Sequence, residues 1–213
     1  MTMTAPPPGG DRFLLDGVTW DYYDRTLREL ESQRRRVRVT YDRGRLEFMT
    51  LTHLHEFIKK TIGRLIETYS LERGIPATGL GSLTCRREDL DRGLEPDECY
   101  YVTTPAPPAE AVEIDLTAHP PPDLAVEVDI TRSSVPRQPI YAALGVPEVW
   151  RFDGRAVAFL HRQPDGQYAP AAQSPAFPGL TPDHLNRFLQ MALPNRQFEA
   201  VVAFRDWLRQ GAR

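Results

Sequence analysis

Lysine is almost absent from this chain: Lys59 and Lys60 are the only two in 213 residues, and arginine carries nearly all the positive charge. Cysteine is as scarce. Cys85 and Cys99 alone cannot build a zinc site of the finger type, and without an export signal a disulfide between them is not expected. No run approaches the roughly 18 apolar residues that a membrane helix needs. The amino terminus is rich in Pro, Gly and Thr and has no apolar core, so it reads as a tail and not as a signal peptide. A cytoplasmic protein is expected. There is no excess of positive charge either, and a net charge of −3 argues against a protein that coats nucleic acid through general basicity. A nuclease stays open, because acids gathered at a metal lower the net charge while a local basic surface survives. Arg34, Arg35 and Arg36, with Arg38, Arg43 and Arg45, form such a cluster, although arginine runs are usually just solvated.

What is present fits one soluble domain, with residues 1–11 as a disordered tail and 12–213 as the folded unit. Thr19 is placed to cap a helix to about Gln33, with Trp20, Tyr23, Leu27 and Leu30 on one face. Val37–Tyr41 alternates, Asp42-Arg43-Gly44 turns, and Arg45–Met49 returns, which is a hairpin. Thr52 or His53 opens a second helix that ends at Gly74. Ala77–Arg86 and Glu98–Val102 read as strands, Leu124–Ile130 as a central strand, and Pro139–Leu144 as a short helix. The spacing predicts strands over Glu148–Phe152 and Val157–His161, then helices over Pro182–Met191 and Gln197–Arg209. The order gives a mixed α/β or α+β domain.

Chemistry concentrates in two acid-bearing stretches, Glu95-Pro96-Asp97 and Pro122-Asp123-Leu124-Ala125-Val126-Glu127-Val128-Asp129. Each sets a carboxylate beside or inside an apolar, strand-favouring run. Burying an ionised acid there costs several kcal/mol unless it is paired or binds a cation. Magnesium suits such a pair, since one or two carboxylates suffice to hold it. Arginines nearby offer the other solution: Arg86, Arg87 and Arg92 lie near Asp97, and Arg132 and Arg137 follow Glu127. Spacing alone leaves metal and ion pair equally supported. Glu47 or Glu56 could supply a third acid, although the helix dipole alone would favour a carboxylate at Glu56. His55 could position a phosphate or a water, or simply cap its helix.

The phrases Arg92–Tyr101, Pro122–Thr131 and Pro139–Arg151 together resemble the Uma2 family of restriction-endonuclease-like proteins, over about Tyr41 to Phe159. That resemblance implies a PD-(D/E)xK nuclease fold, with a mixed central sheet flanked by helices and Mg²⁺ (or Mn²⁺) at its acid cluster. It makes Asp97 the acid of the PD element and Glu127 the acid of (D/E)xK, both as metal ligands. It also implies DNA as substrate and a homodimer. The pattern departs where a lysine should stand two residues after Glu127, because this chain has Asp129. Arg137 lies in the segment that follows and could clamp phosphate, but arginine does not exchange a proton as lysine can. Lys59 or Lys60 could reach the site from the helix that carries Glu56. A Mg²⁺-dependent endonuclease with Asp97, Glu127, Arg137, Glu47, His55 and Glu56 in its site is the leading expectation. The alternatives are a nuclease-fold DNA-binding or scaffold protein that has lost turnover, and an oligomeric interaction module that displays Tyr100, Tyr101 and Trp150.

Overall fold

A computed structural model describes residues 11–33, 37–110, 114–130, 133–193 and 195–211. The Arg34–Arg36 run, Arg132 and residues 1–10 of the expected tail therefore lie outside the described residues. Asp11, read as tail, instead starts the fold: its N–H donates to Thr50 Oγ1 at 2.9 Å, and its carbonyl accepts from the Thr50 N–H.

The chain builds two six-stranded sheets. The first takes β1 (Arg12–Leu15), β2 (Arg38–Asp42), β3 (Arg45–Met49), β5 (Cys85–Arg87), β6 (Arg92–Leu94) and β8 (Ile114–Asp115), in the order β1-β3-β2-β6-β5-β8. The second takes β4 (Thr78–Gly79), β7 (Glu98–Tyr101), β9 (Leu124–Val128), β10 (Glu148–Phe152), β11 (Val157–Arg162) and β12 (Tyr168–Ala171), in the order β12-β11-β10-β9-β7-β4. The second sheet is mixed. β9 and β10 run parallel, with helix α3 (Gln138–Leu144) in the connection between them, and its other pairs are antiparallel.

Local chemistry sets the elements. Helix α1 (Trp20–Ser32) begins where the Thr19 side chain accepts the Tyr22 N–H, and it buries Tyr23 against Val39, Tyr41 and Leu46 of the first sheet. The β2–β3 hairpin turns through Arg43 at φ 48° and Gly44 at φ 85°, two left-handed residues of the kind a tight hairpin turn needs. Helix α2 (His53–Arg73) starts at Thr52, whose hydroxyl accepts the His55 N–H at 3.2 Å. Its stripe of Ile58, Ile62, Leu65, Ile66 and Tyr69 packs on Leu124, Val126 and Val128. Helices α4 (Pro182–Ala192) and α5 (Gln197–Gln210) complete that layer, with Phe188 and Phe204 buried in the same cluster.

Alternation along β9 then decides where its acid points. Leu124, Val126 and Val128 face the α2 layer, while Ala125 faces the opposite cluster with Ile140, Tyr141 and Leu144 of α3 and Cys85 and Leu94 of the first sheet. Glu127 shares the face of Ala125, so it looks into the seam between the two sheets.

Two expectations change. The stretch 77–86 is not one strand: β4 pairs with β7 in the second sheet and β5 with β6 in the first, and the chain crosses between sheets through Gly81 at φ 66°. A left-handed glycine ends a strand that its apolar neighbours would otherwise continue. The aromatics Tyr100, Tyr101 and Trp150 are buried and not displayed; Trp150 stacks on Phe159 with ring centroids 4.1 Å apart. Cys85 and Cys99 are both free and buried. Among the described residues no helix is long and apolar enough to cross a membrane.

Candidate active site

Asp97 sits between β6 and β7 and is fastened to β9 twice. Its N–H donates to the Val126 carbonyl at 3.0 Å, and its Oδ2 accepts the Val128 N–H at 2.7 Å. These bonds bring the carboxylate to the strand that carries Glu127. Both acids are buried, at 0% and 4% exposure. Asp97 Oδ1 turns away from the sheet toward two nitrogens: a guanidinium nitrogen of Arg38, in a salt bridge, and His55 Nε2 at 2.9 Å. Glu127 Oε2 lies 3.6 Å from Arg38 Nη1. Its other oxygen accepts from Arg137 Nη2 at 2.8 Å and from the Tyr141 hydroxyl. The site is thus an alternating chain of Asp97, Arg38, Glu127 and Arg137.

Such burial is tolerable because each acid has a cation and hydrogen bonds to it. The environment shifts its members unequally. Burial, with the neighbouring Arg38 charge, holds the His55 imidazole down at about 4, so it is neutral at pH 7. Burial also lowers Arg38 from the usual guanidinium range, and Glu127 opposes that effect. For Arg137 the balance reverses: burial pulls down, but Glu127 and Tyr141 together push it above its ordinary value. Tyr141 is driven well up by burial first and by the Glu127 charge second.

Of the residues expected at the site, Asp97, Glu127, His55 and Arg137 are therefore brought together. Glu56 stands at the rim, half-exposed, 3.4 Å from His55 Nδ1 and 3.7 Å from Lys59 Nζ. Glu47 touches neither acid. On β3, opposite Thr40, it accepts from the Ser133 hydroxyl and from the Ser134 N–H at 2.7 Å, which anchors the loop before α3. Arg137 is not a free clamp: it also donates to Thr40 Oγ1 and to the Glu95 carbonyl, so both terminal nitrogens are engaged within the protein. Asp129, where the lysine is expected, is bound to Arg151 at 2.6 Å. Lys59 lines the same cavity as Asp97, whereas Lys60 is held by Glu98 at 3.2 Å. Sequence reasoning missed Arg38 and Tyr141. The alternation in β2 could have pointed to Arg38 as a charge on the buried face of a hairpin strand. Tyr141 carries no such signal, because it reads as one more apolar residue of α3.

Two cavities open onto the pair. One of about 730 Å³ is lined by Asp97, Lys59, Glu56 and Glu95 against an apolar wall that includes Leu27, Leu30 and Leu83. The other, of about 470 Å³, is lined by Glu127, Asp129, Arg137 and Tyr141. Arg38 lines both.

No group of three or more His, Cys, Asp or Glu among the described residues is arranged to hold a metal ion. Magnesium does not require three, since it keeps several waters and takes one or two carboxylates. Asp97 Oδ1, with His55 Nε2 beside it, and Glu127 Oε2 are turned toward the same guanidinium, that of Arg38. The donors fit a hard divalent ion there, in the place that the Arg38 guanidinium holds.

An α+β domain in which two buried acids meet on adjoining segments of a mixed sheet has the architecture of a restriction-endonuclease-like protein. The chain belongs to the Uma2 family, described as "Putative restriction endonuclease", whose model matches residues 21–193. The fold is similar to the crystal structure of "a putative nuclease belonging to DUF820 from Anabaena variabilis ATCC 29413", with a TM-score of 0.51 and 18% identity. The match covers 71% of this chain and 90% of that one. No curated protein matches.

Proposed function

We propose that the protein is a Mg²⁺-dependent endonuclease, with Mn²⁺ as a working substitute, that hydrolyses DNA phosphodiester bonds. The observation that carries this reading is the convergence of Asp97 and Glu127 on one shared positive charge, with a neutral imidazole beside it. Asp97 and Glu127 would hold the ion. When bound, a divalent cation polarises the phosphoryl oxygen and makes a water nucleophilic near neutral pH.

The rest of the work falls to the protein's own groups. The Val128 N–H fixes one oxygen of Asp97 and leaves the other aimed at the site. Arg137 and Tyr141 orient Glu127 from its far side, so Arg137 is a positioning residue here. His55, neutral at pH 7, keeps its proton on Nε2 against Asp97 and leaves Nδ1, on the Glu56 side, as the nitrogen that can accept one. Lys59 brings an ammonium to the Asp97 cavity, where it can meet phosphate charge. Two copies acting together would suit cleavage of both strands.

Nicking of supercoiled plasmid tests the proposal. Activity should appear with Mg²⁺ or Mn²⁺, vanish in EDTA, and be lost in Asp97→Asn. A second reading is favoured by the engaged Arg137 and by Asp129 in place of a lysine: a nuclease fold that binds DNA without turnover. Salt-sensitive gel-shift binding with no nicking in either metal would select it. An interaction module that displays Tyr100, Tyr101 and Trp150 loses its support, because all three are buried.

A further inference from the structure

Arg38 occupies the centre of the site. Only 5% exposed, it projects from β2 between the two acids, with one face toward each cavity. Asp97 and Glu127 carry two negative charges, and Arg38 and Arg137 return two positive ones. Those four side chains balance one another, and at the rim Glu56 is offset by Lys59 at 3.7 Å. Adding a divalent ion without removing anything would leave a surplus of two charges in a buried seam, a state that low-dielectric surroundings disfavour strongly. One guanidinium has to leave. Arg137 is tied by Thr40, the Glu95 carbonyl and Glu127, while the ion pairs of the Arg38 side chain among the described residues are with the two acids. Space and a receiving charge are also at hand, because the larger cavity beside Arg38 contains the carboxylates of Glu56 and Glu95.

We propose that Arg38 is an exchangeable internal counter-ion: it holds Asp97 and Glu127 together in the metal-free protein and gives up its place to a divalent cation. The inference rests on the reading of Asp97 and Glu127 as metal ligands. It assigns Arg38 a positioning role, and the metal affinity of the site becomes the difference between two cations competing for one pair of acids.

The test is Mn²⁺ binding, followed by electron paramagnetic resonance of the free ion, for wild type, Arg38→Met, and Arg38→Met combined with Asp97→Asn. Removing the competitor should tighten Mn²⁺ binding by on the order of tenfold or more, and the double variant should lose the gain. Equal or weaker binding by folded Arg38→Met overturns the proposal. Should Arg38→Met fail to fold alone, thermal melting with and without Mn²⁺ decides: the ion must restore a cooperative transition, and no restoration overturns the proposal. Plasmid nicking by wild type is scored separately. Tighter Mn²⁺ binding by Arg38→Met without nicking by wild type would keep the counter-ion and sink the nuclease. Nicking by wild type with unchanged Mn²⁺ affinity in Arg38→Met would do the reverse.

Discussion

Of the chain's four Pro-Asp dipeptides, Pro164-Asp165 and Pro182-Asp183 carry exposed acids, while Pro96-Asp97 and Pro122-Asp123 each place a buried acid beside the second sheet. Asp123 is saturated. Its Oδ2 accepts the N–H groups of Val102, Thr103 and Thr104 at 2.6–2.9 Å, and its Oδ1 accepts the hydroxyls of Thr103 and Thr104. Burial alone would raise its pKa, but those hydrogen bonds overcome it and bring the carboxyl below its ordinary value. Every donor comes from one loop and none is charged. Asp97 has one hydrogen bond from Val128, and its other oxygen faces a guanidinium and an imidazole. The same dipeptide thus serves two ends. A carboxylate satisfied by the uncharged donors of one loop holds structure, whereas one left with an oxygen between a guanidinium from β2 and an imidazole from α2 has the makings of a reactive site.

Paired substitutions test that contrast most sharply. If the nuclease proposal holds, Asp97→Asn should lower plasmid nicking by about 10³-fold, roughly 4 kcal/mol of transition-state stabilisation. Asp123→Asn should leave nicking per folded molecule near wild type. Equal losses in the two variants would erase the distinction. Stability should rank them the other way. Asp123→Ala strands three N–H groups and two hydroxyls, and urea melts should show a loss of about 3 kcal/mol. Asp97→Asn keeps an acceptor for Val128 and leaves Arg38 with Glu127 as its anionic partner, so it should lose less.

The sequence carried the elements well where periodicity was long, as in α2, whose apolar stripe from Ile58 to Tyr69 is the buried face observed. It carried the two acids too, because a charge inside a strand-forming run is conspicuous. It did not carry what surrounds them. Arg38 meets Asp97 across 59 positions, and Glu95 meets Arg137 across 42, so the charge balance of the site exists only after the two sheets close on each other. For the same reason isolated motifs do not show what Asp97→Ala would do to stability. With Asp97 fully buried and paired to Arg38, that substitution leaves a buried guanidinium without its nearest partner and should lower the melting temperature. Family resemblance located Arg137 near the missing lysine, but only its bonds to Thr40 and the Glu95 carbonyl reveal that it is held in place.

Acid separates the two aspartates with the smallest expected effect. His55, next to Asp97, is held at about 4 in the folded protein against 6.5 for an ordinary imidazole. As pH falls below 6.5 the unfolded chain takes up a proton that the folded chain refuses, so stability drops across the window between 6.5 and 4. From pH 6.5 to 5.5 the loss should be about 1 kcal/mol. Asp123 acts with the opposite sign of shift: its lowered pKa stabilises the fold above the ordinary carboxyl value of 3.8, and that contribution disappears only as pH falls through its folded value. Burial lowers the His184 imidazole as well, so it contributes slope in the same window. Chemical denaturation between pH 7 and 5.5 should therefore show a slope in wild type and in Asp123→Asn that becomes shallower in His55→Gln. An undiminished slope in His55→Gln would place the titrating group elsewhere, and the imidazole beside Asp97 would then be an ordinary capping residue of α2.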